Sequence, residues 1–272
     1  MREMMRRFGD RLVAAGLMAF VLAGAGFYVH AAVVGRYDGT LEGPVYEETG
    51  TGESLQVLAP VFFYAEFDGK ALDTTIDWNV DGVNSGAGAI AAGAGGLCRL
   101  TTGIADDDDV ELSTPLIWYA NRGCSAEARF AINDADGSAW TFGFADAVQY
   151  SADEIAVIYN TAPLSAATDW AGFFWDPDAS IDVVRVLGVK ATVKSDVLAT
   201  STVCADGVMH VYRVDCSSAG DLEFFVDGSS VGGLSAAVTV TAPLAIYVGV
   251  INREGAANTL DVDYVRGWEL RN

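Results

Sequence analysis

The stretch that decides the fold is His210-Val211-Tyr212-Arg213-Val214, followed after a short break by Asp221-Leu222-Glu223-Phe224-Phe225-Val226-Asp227-Gly228. Apolar and polar residues alternate along both halves, the pattern of strands that bury one face. Asp227-Gly228 supplies a turn at the end of the second strand. Outward from this pair the same pattern recurs. Strands are expected at Val61–Phe67, Gly96–Thr102, Val110–Leu112, Ala126–Ile132, Trp140–Ala145, Glu154–Asn160, Trp170–Asp176, Val183–Thr192, Leu244–Arg253 and Thr259–Leu270. Regular spacing with Gly, Asn and Asp turns predicts an all-β protein, an antiparallel β-sandwich of the jelly-roll kind. The Ala/Gly run from Ser85 to Gly96 reads as a loop.

The 272 residues accommodate one sandwich with appendages. We divide them into an apolar N-terminal segment (1–31), an extended linker (32–60) and the sandwich (61–272). The linker is punctuated by Gly35, Gly39, Gly43-Pro44 and Gly50, and charged by Glu42, Glu47, Glu48 and Glu53. The first segment opens basic and continues as LVAAGLMAFVLAGAGFYV from Leu12 to Val29. It fits a secretory signal cleaved after Ala31, or a span just long enough for a bilayer. It also fits a retained apolar helix or arm, docking through Leu12, Leu17, Phe20, Leu22, Phe27 and Tyr28. Of these, the retained arm is the expectation.

Net charge is −21. Such a surface repels phosphates, so nucleic acid is excluded as a partner. Acidic turns at Asp134-x-Asp136-Gly137 and Asp176-x-Asp178 are candidate calcium ligands, although the distal glutamate of an EF-hand is missing. Turn chemistry accounts for the same residues without a metal. No cofactor is otherwise expected.

Four cysteines, Cys98, Cys124, Cys204 and Cys216, lack C-x-x-C spacing. We place Cys204 and Cys216 at opposite ends of one strand, Val203 to Val214, roughly 35–40 Å apart. Cys98 and Cys124 can bridge if their strands are neighbours; otherwise all four are buried thiols.

Glycoside hydrolysis needs two carboxylates roughly 5–10 Å apart. Asp261-x-Asp263 is the nearest approach to a strand with alternate acids. Asp106 to Asp109 are contiguous and read as a solvated loop. Only two histidines exist; His210 sits where a ring packs between sheets, and His30 abuts the apolar run. An enzyme is therefore not expected. For glycan binding the candidates are Trp118, Tyr119, Trp170 and Trp175, with Tyr150 beside them; large aromatics also fill cores. Trp170 and Trp175 flank a period-two strand and cannot share a face.

The strand pair around Asp227-Gly228 resembles that of concanavalin A-like lectins and glucanases. Phe142-Gly143-Phe144-Ala145-Asp146, then Gly172-Phe173-Phe174-Trp175-Asp176-Pro177-Asp178-Ala179, then Val186-Leu187-Gly188-Val189-Lys190, and the last strand Leu260 to Val265, resemble in their order virion-associated members of that group from tailed bacteriophages. The likeness covers about residues 125–270. It implies a structural protein on the virion, of the capsid auxiliary or decoration type. Its partners would be other copies of itself, as a trimer, and a major capsid or other virion protein. The alternatives are a lectin-like module that binds host glycans, and a secreted or membrane-anchored bacterial surface protein.

Overall fold

The computed structural model describes residues 45–48, 55–58, 61–67 and 72–269, the last span with short gaps at 76, 83–85, 92–95, 152–153, 161 and 180–181. The arm residues Leu12, Leu17, Phe20, Leu22, Phe27 and Tyr28 lie outside the described residues. The chain divides into two compact units, Met1–Val57 and Leu58–Asn272. β1 (Val45–Glu48) pairs with β2 (Leu55–Leu58) as a two-stranded sheet.

The second unit is an antiparallel sandwich of two eight-stranded sheets. In the back sheet the order is β18 (Ser229–Leu234), β17 (Leu222–Val226), β16 (His210–Cys216), β8 (Cys124–Ile132), β20 (Thr259–Glu269), β6 (Leu97–Thr101) and β5 (Ala87–Ala91). The first residues of the domain, β3 (Val61–Glu66), pair with the far half of β20. The front sheet runs β14 (Val193–Lys194), β13 (Arg185–Lys190), β12 (Trp170–Trp175), β9 (Ser138–Ala145), β19 (Ala245–Asn252), β7 (Asp109–Ser113) and β4 (Asn79–Gly82), with β15 (Leu198–Ala199) also on β13. A hairpin of β10 (Val157–Asn160) and β11 (Ala162–Ser165) belongs to neither sheet. One 3-10 turn, Ala120–Arg122, is the single helical element among the described residues.

Alternation along each strand sends one set of side chains between the sheets. Ala126, Ala128, Phe130, Tyr212, Val214, Phe224, Val262 and Val265 come from the back; Val110, Leu112, Trp140, Phe142, Phe144, Phe173, Trp175, Ile246, Val248 and Val250 come from the front. Phe130 stacks on Tyr212 at 4.7 Å, and Phe173 meets both Tyr212 and Phe224 edge-on. Such aromatic packing adds to the area each ring buries. Asp227 and Gly228 have φ of 49° and 79°, and Val226 pairs with Ser229. The residues therefore close a two-residue hairpin whose positive φ values suit the Asp-Gly pair.

Four expectations are corrected. The run Ser85 to Gly96 is not all loop: Ala87–Ala91 form β5, paired with β6. Cys204 is not on the strand of Cys216; β16 starts at His210, and Cys204 lies in the preceding loop against Trp140 Nε1 at 3.3 Å. Cys98 and Cys124 are not on neighbouring strands. They flank β20 on opposite sides, opposite Val262 and Glu269 respectively, and all four cysteines are free. Finally, Asp108 and Asp109 are buried, and Asp109 begins β7. Asp108 is held by the Ala105 amide at 2.8 Å, so the acidic run is half loop and half strand. His210 stands at the rim of the sandwich, its Nδ1 2.7 Å from Asp227 Oδ2.

Candidate functional site

The front sheet has a second, outer face, and the described residues of 146–168 cover it. Trp170, Phe174, Leu187, Val189 and Tyr247 point outward from β12, β13 and β19, and Ala156, Val157 and Ala167 of the cover bury them. Ile155 packs on Ala139 and Ile251 in the same way. Tyr247 meets Trp170 and Tyr150 edge-on at 6.0 and 5.6 Å. The floor beneath is narrow-waisted. Gly143 and Gly172 are cross-strand partners, and a Cβ on either would strike the backbone of the other strand.

The outward residues of β7 are Asp109, Glu111 and Ser113, since Val110 and Leu112 face the core. These polar groups hold the cover down. Glu111 accepts the Tyr150 amide at 3.0 and 3.2 Å and the Tyr247 hydroxyl at 2.6 Å. Asp109 accepts the Glu154 amide at 3.1 Å. Tyr247 Oη in turn accepts the Ala156 amide at 3.3 Å. Ser113 Oγ and Asn79 Nδ2 both donate to the Val148 carbonyl, at 2.6 and 3.1 Å. At the neck, Asp146 accepts the Thr168 amide and hydroxyl.

Glu111 is only 1% exposed. Burial pushes its carboxyl up to about 8; the bonds from Tyr247 and Tyr150 oppose the rise, and Asp109 and Asp81 add to it. Asp81 is its direct partner across β4–β7. Burial likewise raises the Tyr247 and Tyr150 hydroxyls, with Glu111 contributing to both. Two carboxyl groups two residues apart, about 6.6 Å along a strand, have the spacing that acid/base hydrolysis of a glycoside asks for. Here both carboxylates are turned to the cover's backbone. Four consecutive aspartates hide this pair in the sequence, because they blur where the strand begins. Its signal is Asp109-Val110-Glu111-Leu112-Ser113, with polar residues at every second position.

The glycan candidates are scattered. Trp118 is buried in the core, bonded to Thr114 Oγ1 and tilted against Phe144. Trp175 is in the core with its Nε1 on the Ala135 carbonyl. Trp170 lies beneath the cover. Tyr119 is half-buried at one end of the sandwich, with the Arg122 guanidinium 4.5 Å from its ring centre.

Of the metal candidates, Asp176 is buried and binds Arg253 Nη2 at 2.7 Å while accepting the Tyr159 amide. Asp107 and Asp178 also face Arg253. The guanidinium supplies the positive charge at this cluster. Asp134 Oδ1 accepts the amides of Asp136 and Gly137, which is turn chemistry. Among the described residues no group of three or more His, Cys, Asp or Glu side chains could hold a metal ion.

The outer face of the back sheet is built differently. Arg266 pairs with Glu127 at 2.6 Å, Arg99 with Asp261 at 2.6 Å, Arg129 with Asp263 at 2.5 Å and Arg213 with Asp215 at 3.4 Å. Between them stand aromatics: Phe62 stacks on Tyr64, Tyr64 tilts against Tyr264, Arg266 lies 5.7 Å from both Tyr264 and Trp268, and Arg213 covers Phe225 at 3.8 Å. Phe62 is 46% exposed.

No protein-family model and no curated protein matches the chain. Solved structures do. It is similar to a β-glucanase of Bacillus licheniformis (TM-score 0.52, 15% identity, 77% of this chain and 98% of that one). It is also similar to the carbohydrate recognition domain of Emp47p (0.54, 9%, 76% and 94%). A third is a protein of unknown function from Shewanella oneidensis MR-1 (0.52, 11%, 78% and 89%). At such identities the likeness is one of fold: the domain has the concanavalin A-like jelly-roll fold, the one that the resemblance implied.

Proposed function

We propose that this chain is a non-catalytic structural jelly roll, a virion protein of a tailed bacteriophage that decorates or braces the capsid. The observation that carries the non-catalytic part is the cover. A sandwich that cleaves or grips a polysaccharide along a sheet must leave that sheet open. Here the described residues of 146–168 lie over the front sheet's outer face, and the Asp109 and Glu111 carboxylates accept their backbone amides. The virion part is supported by the resemblance over residues 125–270. Its segments Phe142 to Asp146 and Gly172 to Ala179 are the ones that frame the cover: Gly143 and Gly172 pair, and Asp146 closes the neck.

Assembly would use the outer face of the back sheet. Tyr, Trp and Arg are the residues on which interface energy concentrates. Internal charge pairing lets the arginines approach a second copy without a lone charge being buried. The apolar stretch from Leu12 to Tyr28 would dock to a capsid or other virion protein.

The test is to express the full chain, measure its mass in solution and assay it on β-glucan, chitin and mucin. The reading requires a discrete oligomer, a trimer by resemblance, with an intact N-terminus and no release of reducing ends. A trimmed monomer, or turnover of any of the three polymers, overturns it.

A glycan-binding role is the second reading. It is favoured by Tyr119, which keeps part of its ring open beside Arg122, and by neighbours whose names include a carbohydrate recognition domain. Glycan-array binding that disappears in Tyr119→Ala would replace the first reading.

A further inference from the structure

β8 and β16 lie side by side in the back sheet, in a register that sets His210 against Phe130 and Asp215 against Ser125. One step further along that ladder, Cys216 ends β16 opposite Cys124, the first residue of β8. Alternation turns both side chains inward, beside Ala126 and Val214. Both are buried, Cys124 at 0% and Cys216 at 4% exposure. Directly opposed residues of an antiparallel pair hold their Cα atoms about 4.5 or about 5.5 Å apart, according to the kind of pair. Either value falls in the window of about 4.4–6.8 Å that a disulfide spans. The neighbouring Cys124 thiol, together with burial, holds the Cys216 thiol well above its ordinary value.

We infer that Cys124 and Cys216 are a disulfide site, closing to a cross-strand bond wherever the chain meets a disulfide oxidant such as glutathione disulfide or a thiol oxidoreductase. One protein thiolate attacks the oxidant's S–S bond and expels one thiol. The second protein thiolate attacks the mixed disulfide and expels the other. The protein dithiol is oxidised, the oxidant is reduced, and the two protons leave on the departing thiols. Cys98 and Cys204 take no part. Cys98 is across β20, and Cys204 rests on Trp140. Burial pushes their thiols to about 12 and about 11.

The loop between the two cysteines contains β9 through β15, and so the whole cover and the half of the front sheet that it frames. The bond would therefore staple the covered layer to the back sheet, acting mainly on the unfolded chain. The pair is shielded once the sandwich closes, so the bond forms as the chain folds. None of this depends on the virion reading; it needs only an oxidising compartment.

The test is to refold the full chain in a glutathione redox buffer, titrate thiols after denaturation and map peptides without reduction. Two of the four thiols should be lost, with the Cys124 and Cys216 peptides linked. The urea midpoint should drop on reduction in wild type and in Cys98→Ala/Cys204→Ala, but not in Cys124→Ala/Cys216→Ala. Four free thiols in fully oxidised glutathione, or a link through Cys98 or Cys204, overturns the proposal.

Discussion

The two sheets of this sandwich differ in what lies outside them. Along β20 of the back sheet, buried and half-buried residues alternate, because one face meets the core and the other meets solvent. Along β9 and β19 of the front sheet every residue is buried, because the cover removes the second face from water as well. The same fold has thus made one sheet into a middle layer and left the other as a surface. On the middle layer polar groups are few, and those of β7 are engaged by the cover. On the surface they come as arginine–carboxylate pairs threaded with aromatics. A carboxylate pair in this fold therefore has to be judged by what faces it. Asp109 and Glu111 are turned to backbone amides.

That contrast can be broken most forcefully at Trp170. Replacing it with alanine should destabilise the domain by about 3–5 kcal/mol, read from urea unfolding. Trp268→Ala, on the back sheet's half-buried outer face, should cost far less. Equal losses would mean that the cover is no core.

Glu111 gives the next largest effect. Its folded pKa is raised to about 8 from the ordinary 4.5. The protonated form therefore favours the folded state. Stability is fully present below pH 4.5 and is lost as pH rises through about 8. The loss amounts to a few kcal/mol, at roughly 1.4 kcal/mol for each pH step of about one between the two values. Glu111→Gln, which keeps a neutral side chain, should flatten that slope. Urea midpoints at about pH 5 and about pH 9 for both proteins check it, since these bracket the titration. An unchanged slope contradicts a neutral, buried Glu111.

Removing the Tyr247 hydroxyl with Tyr247→Phe leaves Glu111 and the Ala156 amide each short of a partner. The expected cost is about 1–3 kcal/mol, with faster proteolysis inside 146–168. On the back sheet Arg99→Ala should change stability by less than about 1 kcal/mol, as exposed ion pairs do. Phe62→Asp should leave the fold intact and lower the solution mass if this face joins copies.

Much of the architecture is readable because back-sheet strands alternate, as in Tyr212 to Cys216 and Leu222 to Val226. The front sheet carries a different signal: WTFGFA at Trp140–Ala145 and WAGFFW at Trp170–Trp175 are apolar on both faces. Continuous runs of that kind mark strands covered twice, so the need for a second layer is written in those two segments. The site is harder to read. Strand β7 begins inside an aspartate run, so periodicity has no clear starting point. The Cys124–Cys216 pair escapes a sequence reading that starts its strand at Val203, seven residues early, and ends it before Cys216. Period two separates Trp170 from Trp175, but it does not show that the face Trp170 takes is buried as fully as the core that holds Trp118 and Trp175.

The central claim is that residues 146–168 are a fixed layer of the fold. Hydrogen exchange of the Tyr150, Glu154, Ala156 and Tyr159 amides tests it most directly. All four should exchange as slowly as the strand amides of β9 and β19, released only by global unfolding. Exchange at the rate of an exposed loop would contradict the account and reopen the Asp109–Glu111 face to a ligand.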